Sequence, residues 1–302
     1  MLNRLALSLA GAALLASIVP ALAQESTPHA DFTRSSLRAA DSAASASVQA
    51  AGLVDGLVPY LADSVDVVIP GSRLLRGRDL ARHALAGAAW AGARMAWMPI
   101  RVDLSSNGRS GYTYGGGTMT LADGTSTPAR YIAFWRVRDE QWKIDAFHFN
   151  TSPQPVTPPP AGFFPPDAPL GPATGVDVAA ALEAIMQADR DFAALAAARD
   201  PGVAFATWAA PDGSLLGGAY GPEAIGAVFA GGGTLEWGPV TGGMADSGDL
   251  GYTVGTAVQR GASGRVGYSK YLTIWRRQPN GEWRWVVDGG NPRPADAPTP
   301  AR

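Results

Sequence analysis

Hydrophobic and polar positions follow a helical period early in each half of the chain and a strand period later in each half. From Val178 to Ala198, apolar residues recur at helical spacing and predict one long amphipathic helix. Leu37, Ala44 and Val48 keep the same spacing in the first half. The other elements predicted for the second half are short helices around Val203 to Trp208 and from Gly221 to Phe229, a turn at Pro211-Asp212-Gly213, and strands at Thr234 to Trp237, Leu250 to Gln259, Val266 to Arg277 and Trp283 to Asp288. Helices followed by an antiparallel meander predict an α+β fold, with the helices packed on one face of a strongly curved antiparallel sheet.

The same residues occupy the strand positions of both halves. Gly111-Tyr112-Thr113 is matched by Gly251-Tyr252-Thr253, and the segment from Tyr131 to Arg136 is matched by the segment from Tyr271 to Arg276. A turn and a tryptophan follow each segment, Trp142 in one half and Trp283 in the other. Agreement in order, spacing and residue type indicates an internal repeat. The sequence therefore predicts two tandem domains of one fold.

A proline-rich stretch separates the two copies. Residues 151–174 contain nine of the 24 prolines of the chain. Such a stretch neither pairs into a sheet nor continues a helix. We therefore predict a divergent first domain at 24–150, a linker at 151–174, a second domain at 175–293 and a tail at 294–302.

The first 23 residues have the three parts of a secretory signal. Arg4 supplies a positive end, an uncharged apolar run extends from Leu5 to Val19, and small residues follow at Ala21 and Ala23. The alternative, a membrane anchor, is disfavoured because the run is shorter than the roughly 20 residues that span a bilayer. We expect residues 1–23 to be removed, with Gln24 as the new N-terminus. The protein should be exported, to the periplasm if the source is Gram-negative and otherwise secreted.

Composition removes several classes of function. The formal net charge of −2, from 24 basic and 26 acidic residues, argues against a nucleic-acid partner or a polybasic membrane surface. The chain of 302 residues has no cysteine, which excludes disulfides, thiol catalysis and thiolate metal sites. Its three histidines are not clustered with each other or with carboxylates, and neither glycine triplet precedes the Lys-Ser/Thr of a phosphate loop. We expect neither a metal nor a cofactor.

Three stretches of the second half resemble a known superfamily: Ala245 to Gly255, Tyr271 to Arg277 and Gly281-Glu282-Trp283. They are similar to the cone-shaped α+β proteins related to nuclear transport factor two, which include ketosteroid isomerase, scytalone dehydratase and the SnoaL-like polyketide cyclases. The combination of the three stretches is similar to an exported branch of unknown function. The first half is a weaker copy. The resemblance implies two tandem cone-shaped domains, but no single function, because this architecture serves isomerases, dehydratases, hydrolases, binding modules and dimerisation modules.

An acidic residue interrupts the apolar stripe of each long helix. Asp189 lies at helical spacing from Ile185, Met186 and Phe192, and Asp41 lies in the same way between Leu37 and Ala44. A carboxylate that faces an apolar interior must be hydrogen-bonded, paired or protonated. One hypothesis makes it a pocket acid or base, as in the isomerase relatives. The other, which we favour, makes it a structural acceptor for a buried Trp, Tyr or backbone donor.

Aromatic residues are numerous enough to line a pocket. Alternation places Tyr271, Thr273 and Trp275 on one strand face, whereas Lys270, Leu272 and Ile274 lie on the other. Aromatic walls with a few polar tips are typical of small-molecule sites, although simple core packing needs the same residues. The residues proposed for a ligand pocket are Trp208, Trp237, Trp275, Trp283, Asp288, Asp41, Tyr112, Tyr131 and Trp135.

Three further polar residues have a functional and a structural interpretation. Lys270 could form a Schiff base or bind an anion, but we expect a solvated strand residue or ion-pair partner. Asp288 could act with Asp189, but we expect it to stabilise the Gly289-Gly290 turn. His148 has Gly289 as its counterpart in the second half. It could be a pocket residue unique to the first domain, but we expect it on the surface of a strand.

The sequence leaves three functions open and does not decide whether the protein is an enzyme. The first is a binding protein whose second domain encloses a small apolar or amphipathic molecule. The second is a cofactor-free isomerase, dehydratase or cyclase that uses Asp189 with Tyr252 or Tyr271. The third is a structural or protein-interaction module. In each case we expect the two domains to pair as an intramolecular pseudo-dimer.

Overall fold

The computed structural model describes residues 32–167, 175–231, 233–261 and 263–295. The predicted signal peptide, the end of the linker and most of the tail lie outside these residues. Within the described part, none of the helices combines the length and the apolar character that a membrane crossing requires.

The first domain begins with a long helix and ends with four consecutive strands. A kink interrupts the first helix at Gly52, where φ is 88°, a backbone conformation that glycine adopts without a steric cost. The elements are α1 Arg34–Leu57, a short 3₁₀ turn Val58–Tyr60, β1 Leu61–Val68, β2 Leu75–Arg76, α2 Arg78–Leu85, β3 Arg94–Leu104, β4 Ser110–Thr120, β5 Ser126–Arg138 and β6 Gln141–Thr151. The strands form one six-stranded sheet in the order β2-β1-β6-β5-β4-β3.

The second domain repeats this plan. Its helices begin at capping side chains: Asp177 accepts from the backbone N–H of Ala180, and Asp200, followed by Pro201, accepts from that of Gly202. The elements are α3 Val178–Ala198, α4 Pro201–Trp208, β7 Ala209–Leu215, β8 Ala219–Tyr220, α5 Gly221–Phe229, β9 Thr234–Met244, β10 Leu250–Arg260, β11 Val266–Arg277 and β12 Trp283–Pro292. The strand order β8-β7-β12-β11-β10-β9 is that of the first sheet.

The predicted fold class, two tandem α+β domains with helices before the sheet, is confirmed. The sheets are mixed rather than purely antiparallel, because β1 lies parallel to β6 and β7 lies parallel to β12. The turn predicted at Pro211-Asp212-Gly213 is wrong, since these residues belong to β7. The pairing of β7 with β12 shifts register between Ala209 and Ser214, so this strand lacks the regular alternation that would have identified it.

The first glycine triplet lies inside a strand, as expected for a bend rather than a phosphate loop. Gly115, Gly116 and Gly117 belong to β4. A Cβ atom on Gly117 would lie 1.9 Å from the carbonyl oxygen of Ala96 on β3. Only glycine permits so close an approach of the two strands.

The two faces of each sheet enter different apolar clusters. One face packs under the helices of its own domain, with Tyr131 and Trp135 in the first cluster and Trp275 and Trp285 in the corresponding cluster of the second domain. The opposite faces share a third cluster, which we call the shared cluster. Its members come from both sheets and include Tyr112, Tyr114, Ile132, Phe134, Leu250, Tyr252, Leu272 and Ile274.

Polar bonds between the domains surround the shared cluster. The hydroxyl of Tyr252 donates to Asp66 at 3.1 Å, and that of Tyr114 donates to Ser214 at 2.7 Å. Arg276 pairs with Asp212 of its own domain and with Asp103 of the first. Burial by itself lowers the pKa of Arg276, but the charge of Tyr112, the hydrogen bond to Asp212 and the charges of Asp212 and Asp103 outweigh burial and leave the pKa above its ordinary value.

Two residues expected on the surface are fully buried against the other domain. His148 and Lys270 are both 0% exposed, so both predictions are wrong. The strand face of each residue would meet solvent in a single domain, but here the other copy covers it. The ammonium group of Lys270 donates to Asn291 Oδ1 at 2.7 Å and to the carbonyl of Pro292 at 3.0 Å. Burial, with a contribution from the charge of Arg293, lowers the pKa of Lys270 to about 7.

Candidate functional site

Asp189 is the centre of a buried hydrogen-bond network in the second domain. It is 1% exposed, and its carboxyl group accepts from Trp237 Nε1 at 2.9 Å and from the hydroxyl of Tyr271 at 3.0 Å. Burial raises the pKa of Asp189 to about 6, against the opposing effect of a hydrogen bond from Thr253 and the bonds from Tyr271 and Trp237. The network fixes the helix α3 to strands β9 and β11.

The first domain contains the same network around Asp41. This carboxyl group accepts from Trp97 Nε1 at 3.2 Å, from Thr113 at 2.7 Å and from Tyr131 at 2.8 Å. Burial raises its pKa to about 6 as well. In both domains a second tryptophan, Trp135 or Trp275, donates to the threonine at 2.9 Å. Donors of the same residue types thus surround the buried carboxyl group in both domains, as expected of a structural hydrogen-bond acceptor.

A pocket of about 650 Å³ opens beside this network in the second domain. Its position is set by the C-terminal end of α5, the start of α4 and the strands β9 to β12. The apolar part of its wall consists mainly of Phe192, Phe205, Phe229, Trp237, Tyr268 and Tyr271. The polar part includes Thr273, Asp288 and Asn291. We call this the main pocket.

Asp288 is the carboxyl group on the wall of the main pocket. It accepts from the hydroxyl of Thr273 at 2.5 Å, across the β11–β12 pair. Burial, together with the nearby charge of Asp189 and against the hydrogen bond from Thr273, raises its pKa to about 7. The expected role in the Gly289-Gly290 turn is wrong, because Asp288 and both glycines lie within β12. A half-buried carboxyl group with this pKa can donate or accept a hydrogen bond near neutral pH.

The first domain fills the corresponding space with side chains. The pairing register matches Thr273–Asp288 with Ala133–Phe147, and Tyr271–Gly290 with Tyr131–Phe149. Phe147 and Phe149 are fully buried, and Trp90 packs edge-on against Phe149 at 5.0 Å between ring centroids. The second copy therefore has Asp288 and Gly290 at the positions where the first copy has the two phenylalanines that fill its interior.

Solved structures similar to this chain cover about two fifths of it. They include an NTF2-like protein of unknown function from Pseudomonas putida, with 13% identity over 39% of this chain and 84% of that one and a TM-score of 0.33. Another is a ketosteroid isomerase-like protein from Erwinia carotovora, with 21% identity over 39% and 94% and a TM-score of 0.32. A third structure, an NTF-2 like protein of unknown function from Shewanella oneidensis, has 10% identity over 38% of this chain and 96% of that one and a TM-score of 0.33.

These likenesses concern the fold alone. Each match covers 38% to 39% of this chain, about the length of one of its two domains. No protein-family model matches the chain, and no curated protein matches it.

The structure brings only some of the proposed site residues together. Trp237, Tyr271 and Asp288 line the main pocket. Tyr252 does not meet Asp189, because it lies in the shared cluster, as Tyr112 does. Trp208, Trp275 and Trp283 belong to the core cluster of the second domain, and Asp41, Tyr131 and Trp135 belong to the interior of the first.

Several wall residues were not predicted from the sequence. Phe192, Phe205 and Phe229 are aromatic residues on three different helices, and only the folded chain brings them together. Gly290 could have been found by comparing the two copies position by position, since it replaces the aromatic Phe149. Among the residues that the structure describes, no three acidic or histidine side chains are grouped as metal ligands.

Proposed function

We propose that the second domain binds a small, largely apolar molecule that carries a polar group, in the main pocket. The observation that carries this proposal is the difference between the copies: the second has a pocket of about 650 Å³ where Phe147 and Phe149 fill the first. A volume of this order is typical of small-molecule sites, as are aromatic walls with a few polar groups.

Asp288 supplies the polar contact of the proposed complex. Its carboxyl group faces the pocket, and its pKa of about 7 lets it donate to a carbonyl or accept from a hydroxyl or amine. Thr273 holds the group in position from the neighbouring strand. The ligand would place its rings or chain against the aromatic wall.

The same residue favours acid–base catalysis as the second candidate function. A pKa near neutrality suits a group that takes and returns a proton. Asp189 is poorly suited to this role, because it is 1% exposed and both of its oxygens accept hydrogen bonds from Trp237 and Tyr271. An isomerase, dehydratase or cyclase reaction would therefore use Asp288. A purely structural role suits the filled first domain better than the second.

Binding can be tested with the neutral fluorescent probe N-phenylnaphthylamine. Asp288→Phe copies the first domain and fills the pocket, so we expect it to abolish the fluorescence increase on probe binding. Asp288→Asn has nearly the same volume as the natural residue and is the matched control, which should still bind. Probe binding that survives Asp288→Phe in the folded protein would reject the main pocket as the site.

Export is a separate proposal that rests on the signal-like pattern of residues 1–23. Mass spectrometry of the protein from its native host should find an N-terminus at Gln24. A chain that retains Leu5 to Val19 would contradict removal of the signal.

A further inference from the structure

A second pocket adjoins the main pocket at the boundary between the two domains. It measures about 470 Å³ and is lined by Leu215 to Ala219 of the second domain and by Arg130 of the first. Four residues line both pockets: Val228, Phe229, Asp288 and Gly290. Asp288 thus lines both pockets.

Gly290 keeps the two spaces adjacent. It pairs with Tyr271 on β11, where the first domain pairs Phe149 with Tyr131. Phe149 closes this position in the first domain, whereas glycine leaves it without a side chain. A ligand longer than the main pocket can therefore extend past Gly290 toward Arg130.

Arg130 has hydrogen-bonding capacity to spare. Its guanidinium group donates to the carbonyl oxygens of Leu216 and Gln154, both at 3.1 Å, and takes part in no ion pair within the described residues. A guanidinium group carries five N–H donors, so these two bonds leave three for a ligand. The two carbonyl contacts also hold the group in place, which lowers the entropic cost of binding an anion.

A second basic side chain, Lys270, lies in the same region as Arg130. Burial, with contributions from the charges of Lys270 and Arg130, lowers the pKa of the neighbouring His148 to about 3. Lys270 occupies the position in the second copy that Arg130 has in the first, and its hydrogen bonds go to an amide and a carbonyl rather than to a carboxylate. Asp288 is the acidic residue that faces this region from the second pocket.

We propose that the two pockets form one elongated site, in which Arg130 of the first domain binds an anionic group of an amphipathic ligand. This inference rests on the proposed function and adds the ligand class, an organic anion with a ring or chain body. The body would lie against Phe229 and Trp237, and its carboxylate or sulfonate would reach Arg130. The first domain would then contribute to ligand specificity although its own interior is filled.

A pair of probes that differ only in charge tests the proposal. Anilinonaphthalene sulfonate and N-phenylnaphthylamine share one aromatic body, and the first adds a sulfonate. In Arg130→Gln we expect the affinity for the sulfonate to fall about tenfold, the usual scale for loss of a charge-assisted hydrogen bond. Affinity for the neutral probe should be unchanged. Added salt should weaken the sulfonate complex of the natural protein more than that of the variant.

Two other arginines serve as comparators. Arg265 lines the main pocket, as Arg293 does, and is tested as an alternative site for an anion, while Arg78 lies on α2, outside both pockets. Arg78→Gln controls for the change in net charge. A loss of sulfonate affinity that falls on Arg265→Gln instead of Arg130→Gln would overturn the assignment, as would equal effects of Arg130→Gln on both probes.

Failure of this inference can be distinguished from failure of the proposed function. If Asp288→Phe abolishes binding of both probes while Arg130→Gln changes neither, the main pocket is the site and Arg130 is not part of it. If Asp288→Phe changes neither, both proposals are rejected.

Discussion

The buried carboxyl groups Asp41 and Asp189 should make stability depend on pH in a way that an asparagine removes. The perturbation is Asp189→Asn, with Asp41→Asn as its counterpart in the other domain. Asparagine keeps the shape and one carbonyl oxygen, which can still accept from Trp237 Nε1. It cannot ionise, so it mimics the protonated acid at every pH.

The magnitude follows from the raised pKa. Burial raises the pKa of Asp189 from 3.8 to about 6, so the folded chain retains a proton that the unfolded chain has already released. The stability contributed by this group is therefore fully present below about pH 4 and is lost as the pH rises through 6. The loss is about 3 kcal/mol, and Asp41 should give a similar value.

The assay is urea unfolding of the natural protein and each variant at pH 4 and at pH 7. Relative to the natural protein, each asparagine variant should gain about 2.4 kcal/mol of stability between the two pH values, because the unfolded carboxyl group is already partly ionised at pH 4. The titration of His148, whose pKa falls on folding, cancels in this difference. Asp288 does not cancel fully for Asp189→Asn, because the charge of Asp189 contributes to its raised pKa, so Asp41→Asn is the cleaner of the two comparisons. Asp191→Asn, at an exposed position of the same helix, controls for the substitution itself.

A difference that does not change with pH would refute the reasoning, because it would mean that the carboxyl group is not buried as its contacts require. The absolute effect at a single pH is less informative, since asparagine also adds an amide N–H near Tyr271. For this reason the comparison across pH, and not the sign at pH 7, decides the outcome.

Three further results are expected. Tyr252→Phe removes a hydrogen bond to Asp66 in the shared cluster and should lower the free energy of unfolding by about 1 kcal/mol, with probe binding unchanged; lost binding would place Tyr252 at the site after all. Phe149→Ala should lower the free energy of unfolding by about 3 to 5 kcal/mol, because it opens a cavity in a filled interior. Gly290→Ala should lower it far less, and similar losses of stability in denaturant unfolding of the two variants would contradict the contrast between the copies. We expect the two domains, as an intramolecular pseudo-dimer, to unfold in one calorimetric transition, and two separate transitions would count against that pairing.

Local patterns were sufficient to predict the repeat and the buried acids. The helix from Val178 to Ala198 has the predicted bounds because its apolar period is regular and Asp177 caps its start. The inward position of Asp189 follows from the same period. These features depend on residues within one or two helical turns of each other, which is the range over which a single sequence is informative.

Features that depend on distant parts of the chain could not be predicted in this way. The alternation of side chains along β10 shows which face of the strand carries Tyr252. It does not show that the first domain covers that face. His148 and Lys270 are misplaced for the same reason, since both would be exposed in a single domain. The strand β7 pairs with β12, which follows it by about 70 residues, so no hairpin signal marks it.

The duplication explains how one protein can keep a stable framework and vary its pocket. The acceptor network of Asp41 and that of Asp189 use the same residue types, because each ties a helix to its sheet and loss of the acceptor would leave buried donors unpaired. The positions on the pocket wall have no buried donor that must be paired, so their residues differ between the copies. Phe147 and Phe149 stabilise the first domain by burial. Asp288 and Gly290, at the same positions of the second domain, lack this packing and line the main pocket. A half-buried carboxyl group and a glycine beside an open space are less stabilising than two packed phenylalanines. The filled first copy can offset that cost through the shared cluster, so we attribute the open pocket to the second domain and much of the stability to the first, which adds Arg130 to the proposed site.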